Sequence, residues 1–141
     1  MLLSIISPTY NEAKNVEKLI KLIAISLSKY EYEIIFVDDN SLDNTHEIIK
    51  KIALKKNNVR CLRRIGRRGL SSAVIEGCLS SSSDLLLIID SDLQHDEKKI
   101  PIMIELLKKE KLDLVIASRF LKNKEVLGLT KYRVILSKIA N

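Results

Sequence analysis

DLLLIIDSDLQHD, residues 84–96, runs five aliphatic residues straight into Asp90, Asp92, Gln94, His95 and Asp96. The run lacks the apolar–polar alternation of a half-exposed strand and reads as a strand buried on both faces, as in a parallel sheet. LLSIIS (2–7), YEIIFVDD (32–39), NNVRCL (57–62) and LDLVIAS (112–118) carry the same signature. Between them lie stretches of helical period. In Glu12 to Ser28, Val16, Leu19, Ile20, Ile23 and Leu27 fall on one face; in Lys98 to Glu110, Ile100, Met103, Ile104 and Leu107 do so.

Strand and helix therefore alternate through Ser118, and right-handed crossovers then predict an α/β, Rossmann-like fold, a mainly parallel sheet flanked by helices. Ligands of such sheets sit beyond the carboxyl ends of the strands. The polar clusters fall there: Pro8 to Glu12, Asp38 to Ser41, Arg63 to Gly69, Asp90 to Asp96, and Ser118 with Arg119. Five strand ends are expected to converge on one crevice. This core spans 1–120. Residues 121–141 read as a linker containing Gly128 followed by a basic amphipathic helix, KYRVILSKIAN, with Val134, Ile135 and Ile139 on one side and Lys131 and Lys138 on others.

The 141 residues, 46% of them hydrophobic, suffice for one core. No window approaches the roughly 18–20 apolar residues of a membrane span, and MLLSIIS is too short and lacks the basic lead of a signal peptide. A cytoplasmic location is the expectation. Cys61 and Cys78 have no metal-ligand spacing and read as buried structural thiols. The balance of 24 Lys and Arg against 18 Asp and Glu, a net charge of +6, favours an anionic partner. Nucleic acid is disfavoured by an aromatic content of 4%, by acids lining the same presumed crevice, and by the lack of a recognised binding motif.

Read alone, each cluster stays ambiguous. Asp90 and Asp92 suit a hard divalent ion shared with phosphate oxygens, or a helix cap ahead of Glu97. Asp38 and Asp39 suit a ligand, or a turn in which Ser41 caps the helix from Leu42 onward. Arg60, Arg63, Arg64, Arg67 and Arg68, broken by Gly66 and Gly69, suit phosphate recognition or a solvated basic loop. An EF-hand is excluded, since His95 holds the loop-glycine position and Pro101 the closing-glutamate position. A phosphate-binding glycine loop of the Walker type and a GxGxxG after the first strand are both missing, so phosphate would be held by a metal and arginines.

Together, SPTYNEAKNV (7–16), YEIIFVDDNSLDNT (32–45), RRGLSSAVIEG (67–77), DSDLQH (90–95) and ASRF (117–120) resemble the family 2 inverting glycosyltransferases of GT-A fold, in their dolichol-phosphate or polyprenyl-phosphate mannosyltransferase branch. The resemblance implies a nucleotide-sugar donor, typically GDP-mannose, a dolichyl or polyprenyl phosphate acceptor, and inversion at the transferred sugar. It implies that Pro8, Tyr10 and Glu12 contact the nucleoside, that Val37 and Asp39 close round base and ribose, and that Asp90, Ser91 and Asp92 form the diphosphate site. Asp90, Asp92 and Gln94 would hold Mg²⁺ or Mn²⁺, the leaving-group acid. Asp92 and Arg119 would be catalytic, with Asp92 or Gln94 helping to orient the acceptor and Arg119 reaching the phosphates or the sugar.

The sequence departs from the family at Ser71, where relatives often carry Gly, and at Asp96, where they often carry Pro. Relatives also continue beyond the KYRVILSKIAN-like helix into an acceptor-side segment. Donor binding is therefore expected to survive better than transfer. The alternative expectation is a noncatalytic donor-binding module that acts with a partner chain or as a homo-oligomer. Peripheral attachment to the cytoplasmic face of a membrane is expected through Lys131, Arg133 and Lys138.

Overall fold

The computed structural model describes residues 2–118. Four strands alternate with helices: β1 (Leu3–Thr9), α1 (Val16–Ser26), β2 (Tyr32–Asp38), α2 (Thr45–Ala53), β3 (Val59–Arg63), α3 (Leu70–Leu79) and β4 (Leu85–Ile88). A 3₁₀ turn, Glu97–Lys99, then leads into α4 (Ile100–Lys109). The chain divides into two compact units between Glu97 and Lys98.

The sheet is wholly parallel, in the order β3-β2-β1-β4. The chain steps outward from β1 through β2 to β3, then crosses back beneath α3 to place β4 on the other side of β1. Strands β1 and β4 are thus neighbours whose connections leave in opposite directions, the switch point at which α/β sheets bind ligands.

The core sits on β1 and β2. Every residue of β1 is buried, as are Ile34, Ile35, Phe36, Val37 and Asp38 of β2. Register pairs Ile6 with Ile35 and Pro8 with Val37. Period-2 alternation sends Ile6, Ile35 and Val37 to one face, where Ala73 of α3 completes the cluster. Helix α3 approaches this closely because Gly77 has no side chain, and a Cβ there would stand 2.3 Å from Ile6 Cγ2. The opposite face carries Phe36 and its partner Cys61, which meets His46 of α2 at 3.4 Å. Helix α1 presents Val16, Leu19, Ile20 and Ile23 as its buried stripe, the face predicted from its period.

Three strand expectations are corrected. Strand β3 is buried only at Val59, its middle is half-buried and Arg63 is exposed. Strand β4 is apolar but not buried on both faces, since Leu86 and Ile88 are 46% and 54% exposed. It lies at the edge of the sheet, and within this unit α3 packs on β1 and β2. Residues 112–118 form no strand among the described residues, and Leu114 and Ile116 stand exposed. Aliphatic composition confers fitness for a ladder, but only a hydrogen-bonded neighbour makes a strand of it. The closing helix expected within 131–141 lies outside the described residues.

Candidate active site

The loop after β1 is locked to the loop after β2. Asn11 and Asn40 both adopt left-handed backbone conformations, φ 57° and 58°, which a short amide side chain tolerates. The Asn11 N–H donates to Ser41 Oγ at 2.9 Å, and Asn11 Oδ1 accepts the Leu42 N–H at 2.9 Å. The Glu12 N–H donates to Thr45 Oγ1 at 2.9 Å, and the Ala13 N–H to Asp43 Oδ2 at 3.0 Å. Ser41 does not cap the following helix. Its N–H and hydroxyl both donate to the fully buried Asp38, and Asp43 accepts the N–H and hydroxyl of Thr45 instead. Asp38 is therefore a structural carboxylate, whereas Asp39 turns the other way, toward the crevice.

The end of β4 is fastened to β1 by hydroxyls. Ser91 Oγ lies 2.7 Å from Ser7 Oγ and 2.9 Å from Thr9 Oγ1, and donates to the Pro8 carbonyl at 3.3 Å. Each of these side chains is buried, so the cluster sets where the flanking carboxylates emerge. Beyond it the chain reverses through Leu93, at φ 61°, a conformation costing an aliphatic residue about 1–2 kcal/mol. The turn is closed by the Gln94 N–H donating to Asp92 Oδ1 at 3.0 Å. His95 comes back to place Nε2 3.3 Å from Asp90 Oδ2.

These features enclose a cleft of about 260 Å³ lined by Pro8, Thr9, Tyr10, Glu12, Asp39, Leu70, Ala73, Asp90, Ser91 and Asp92. Of the residues singled out in the sequence, Pro8, Tyr10, Glu12, Asp39, Asp90, Ser91 and Asp92 meet here. Ser91 contributes a buried hydroxyl that positions the wall. Val37 is placed elsewhere. Its side chain is fully buried under α3 against Gly77, because strand alternation points it at the helix, so it supports the cleft from beneath. Gln94 is exposed and outside the lining, and Arg119 lies outside the described residues.

Thr9, Leu70, Ala73 and His95 lie inside the quoted motifs but carried no assigned role there. The arginines also separate. Arg60 pairs with Glu33 at 2.8 Å, Arg63 donates to Asn40 Oδ1, Arg67 pairs with Glu76 at 2.8 Å, and Arg68 lies 4.5 Å above the Tyr10 ring. Arg64 alone of the five is buried, contrary to both the phosphate-contact and the solvated-loop readings. Burial, aided by the charge of Asp38, pushes the Cys61 thiol up to about 12, and burial also raises Cys78. Both cysteines are free.

Asp90 and Asp92 bring two carboxylates to one cleft wall. Among the described residues no three His, Cys, Asp or Glu side chains converge on one metal position. The donor set therefore fits a hard divalent ion held by two carboxylates and completed by ligand oxygens and water, a coordination that Mg²⁺ and Mn²⁺ accept. The arrangement can present a cation to an anionic ligand, with the Tyr10 ring and Asp39 lining the same cleft.

Comparison with known proteins agrees with this geometry. The family described as Glycosyl transferase family 2 matches residues 4–139. A dolichol-phosphate mannosyltransferase of Pyrococcus furiosus is 41% identical over 98% of this chain and 39% of its own length. A dolichol-phosphate mannosyltransferase of Saccharomyces cerevisiae is 37% identical over 72% of this chain and 39% of its own. The chain thus spans about two fifths of these curated relatives. Among solved structures, the mannosyltransferase PcManGT of Pyrobaculum calidifontis, in complex with GDP-Man and Mn²⁺, superposes with a TM-score of 0.64 at 23% identity, over 74% of this chain and 32% of that one. Glucosyl-3-phosphoglycerate synthase of Mycobacterium tuberculosis, with Mn²⁺, UDP and phosphoglyceric acid, gives 0.60 at 24% identity, over 75% and 38%. The fold is the Rossmann-like GT-A fold, and with a family match over nearly its whole length the chain belongs to glycosyl transferase family 2.

Proposed function

We propose that the chain binds a nucleotide sugar, GDP-mannose by preference, and belongs to an enzyme that transfers the sugar with inversion to a dolichyl or polyprenyl phosphate at the cytoplasmic face of a membrane. The observation that carries this reading is the single cleft at the β1/β4 switch point, where Tyr10, Glu12, Asp39, Asp90 and Asp92 meet. Asp39 and Tyr10 offer the nucleoside a carboxylate acceptor and an aromatic surface. Asp90 and Asp92 are the residues that would hold Mg²⁺ or Mn²⁺, and the bound ion would offset the charge that gathers on the departing diphosphate.

The carboxylates need the ion for a second reason: alone, they would repel a diphosphate. The hydroxyl cluster of Ser7, Thr9 and Ser91 holds them in place, so little ordering is required when the donor arrives. A phosphate acceptor is anionic at neutral pH and needs no strong general base. Asp92, at the rim, is the residue assigned to orient the acceptor.

Equilibrium dialysis with radiolabelled GDP-mannose and UDP-glucose tests the proposal. Binding of GDP-mannose in preference to UDP-glucose is expected, and binding of neither would sink it. Transfer of label to a polyprenyl phosphate by the purified chain separates a catalyst from a binding module. Sustained turnover excludes the module, whereas tight binding without turnover favours it.

A further inference from the structure

Arg64 is the one basic side chain buried among the described residues, 2% exposed just past the end of β3, and it does not line the cleft. A guanidinium withdrawn from water is costly unless its donors and charge are matched. Here the two Nη groups find acceptors and the charge finds two carboxylates beside the cleft. Nη1 donates to the Gly69 carbonyl at 3.2 Å and Nη2 to Ser72 Oγ at 2.7 Å. Nε faces Asp39 Oδ1 at 3.3 Å and Glu76 Oε1 at 3.5 Å, as ion pairs without the alignment of a hydrogen bond.

The contacts close a ring. Asp39 Oδ2 accepts the Gly69 N–H at 2.8 Å, so the same glycine that gives its carbonyl to Arg64 gives its amide to Asp39. The Gly69 carbonyl also accepts the Ala73 N–H at 2.9 Å, opening α3. Gly69 sits at φ 138°, a conformation that other residues rarely adopt. The arginine thereby fixes two things the cleft needs: the direction of the Asp39 carboxylate, and the start of the helix that contributes Leu70 and Ala73. Charge balances along the same path. Asp39, Arg64, Glu76 and Arg67 alternate in sign from the cleft to the exposed Arg67, two acids against two bases.

We propose that Arg64 is a positioning residue of the nucleotide site, acting through Asp39 to preorganise the cleft for the nucleoside of a nucleoside diphosphate. This rests on the reading of the cleft as a nucleotide site. Arg64 touches no ligand itself. Its planar fork serves Gly69, Ser72 and Asp39 at once, which the single ammonium of a lysine does not reproduce.

A double-mutant cycle separates action through Asp39 from general support of the fold. Binding of GDP with Mn²⁺, and of UDP in parallel, is measured for the chain, Arg64→Lys, Asp39→Asn and the double variant, with thermal unfolding recorded for each. Arg64→Lys keeps a cation in the buried site and is expected to weaken binding of the preferred nucleotide by about tenfold, as a charge-assisted hydrogen-bond network is broken. Asp39→Asn is expected to do likewise, and the double variant to bind within about twofold of Asp39→Asn alone. Losses that multiply in the double variant, or an Arg64→Lys chain with unchanged affinity and only a lowered unfolding temperature, would overturn the proposal.

The unmodified chain supplies a readout that needs no variant. The Arg64 Nε–H resonance, next to Asp39, is expected to shift on saturation with nucleotide; a stationary resonance in a chain that binds would also overturn it. A chain that binds neither GDP nor UDP would instead remove the nucleotide reading on which the proposal rests.

Discussion

Gly77 and Cys61 show how differently single positions announced themselves. Gly77 was legible only as part of RRGLSSAVIEG, with no physical reason attached; the structure supplies one in the contact a Cβ would make with Ile6 and Val37. Both are core residues on the central strands, so Gly77→Ala is predicted to destabilise by about 1–3 kcal/mol, an overpacking cost measurable by urea unfolding. Cys61, expected to be a buried structural thiol, is half-buried, and the burial that lifts its thiol to about 12 leaves almost no thiolate at neutral pH. Native-state labelling with iodoacetamide is therefore predicted to leave Cys61 unmodified at pH 7, and labelling as fast as in urea would contradict this. The burial of Arg64 was not legible, because five arginines within nine residues look alike until a fold selects the one that turns inward.

Among the elements, the two inner strands β1 and β2 and the helices α1 and α4 followed from periodicity, since burial on both faces and a 3.6-residue stripe each leave a mark in composition. The exposure of one β4 face and the lack of a strand over 112–118 among the described residues left none: both depend on what lies alongside, a property of topology and not of the run of residues. The locking of the β1 and β2 loops was equally hidden. It is made by Asn11, Ser41, Asp43 and Thr45, small polar residues that any turn would favour. Asp43 holds both loops, through the Ala13 and Thr45 N–H groups. Asp43→Ala is predicted to cost about 1 kcal/mol of stability, as the loss of a helix-start acceptor does, and to weaken nucleotide binding with it. Unchanged affinity beside lowered stability would show that the loops do not shape the cleft.

For the molecule as a whole, the order of motifs placed the crevice before any coordinates did, because parallel strands put every carboxyl end on one side. The expectation that five strand ends meet is narrowed: the order β3-β2-β1-β4 seats Asp39 and the Asp90–Asp92 pair around the end of β1, while no residue from Arg63 to Gly69 lines the cleft and Arg119 lies outside the described residues. The same assembly sets the acid response. Burial raises Glu33, but hydrogen bonds from Arg60 and Ser4 and the charge of Arg60 outweigh it, and its pKa falls below the ordinary 4.5. Slight burial also raises Asp43, and hydrogen bonds from Thr45 and Ala13 bring it below 3.8. A carboxylate with a depressed folded pKa adds stability above its unfolded pKa and loses it as pH falls through the folded value. The unfolding temperature is thus predicted to hold from pH 7 to about 5 and to drop below about 4, with Glu33→Gln showing a smaller drop.

The reading of the β1/β4 cleft as a metal-assisted donor site stands or falls on calorimetric titration of GDP-mannose into the chain with Mn²⁺, with chelator, and into an Asp90→Asn/Asp92→Asn variant. Saturable binding with Mn²⁺, weakened about tenfold or more by chelator and by the variant alike, is the predicted result. Equal affinity under all three conditions would contradict it.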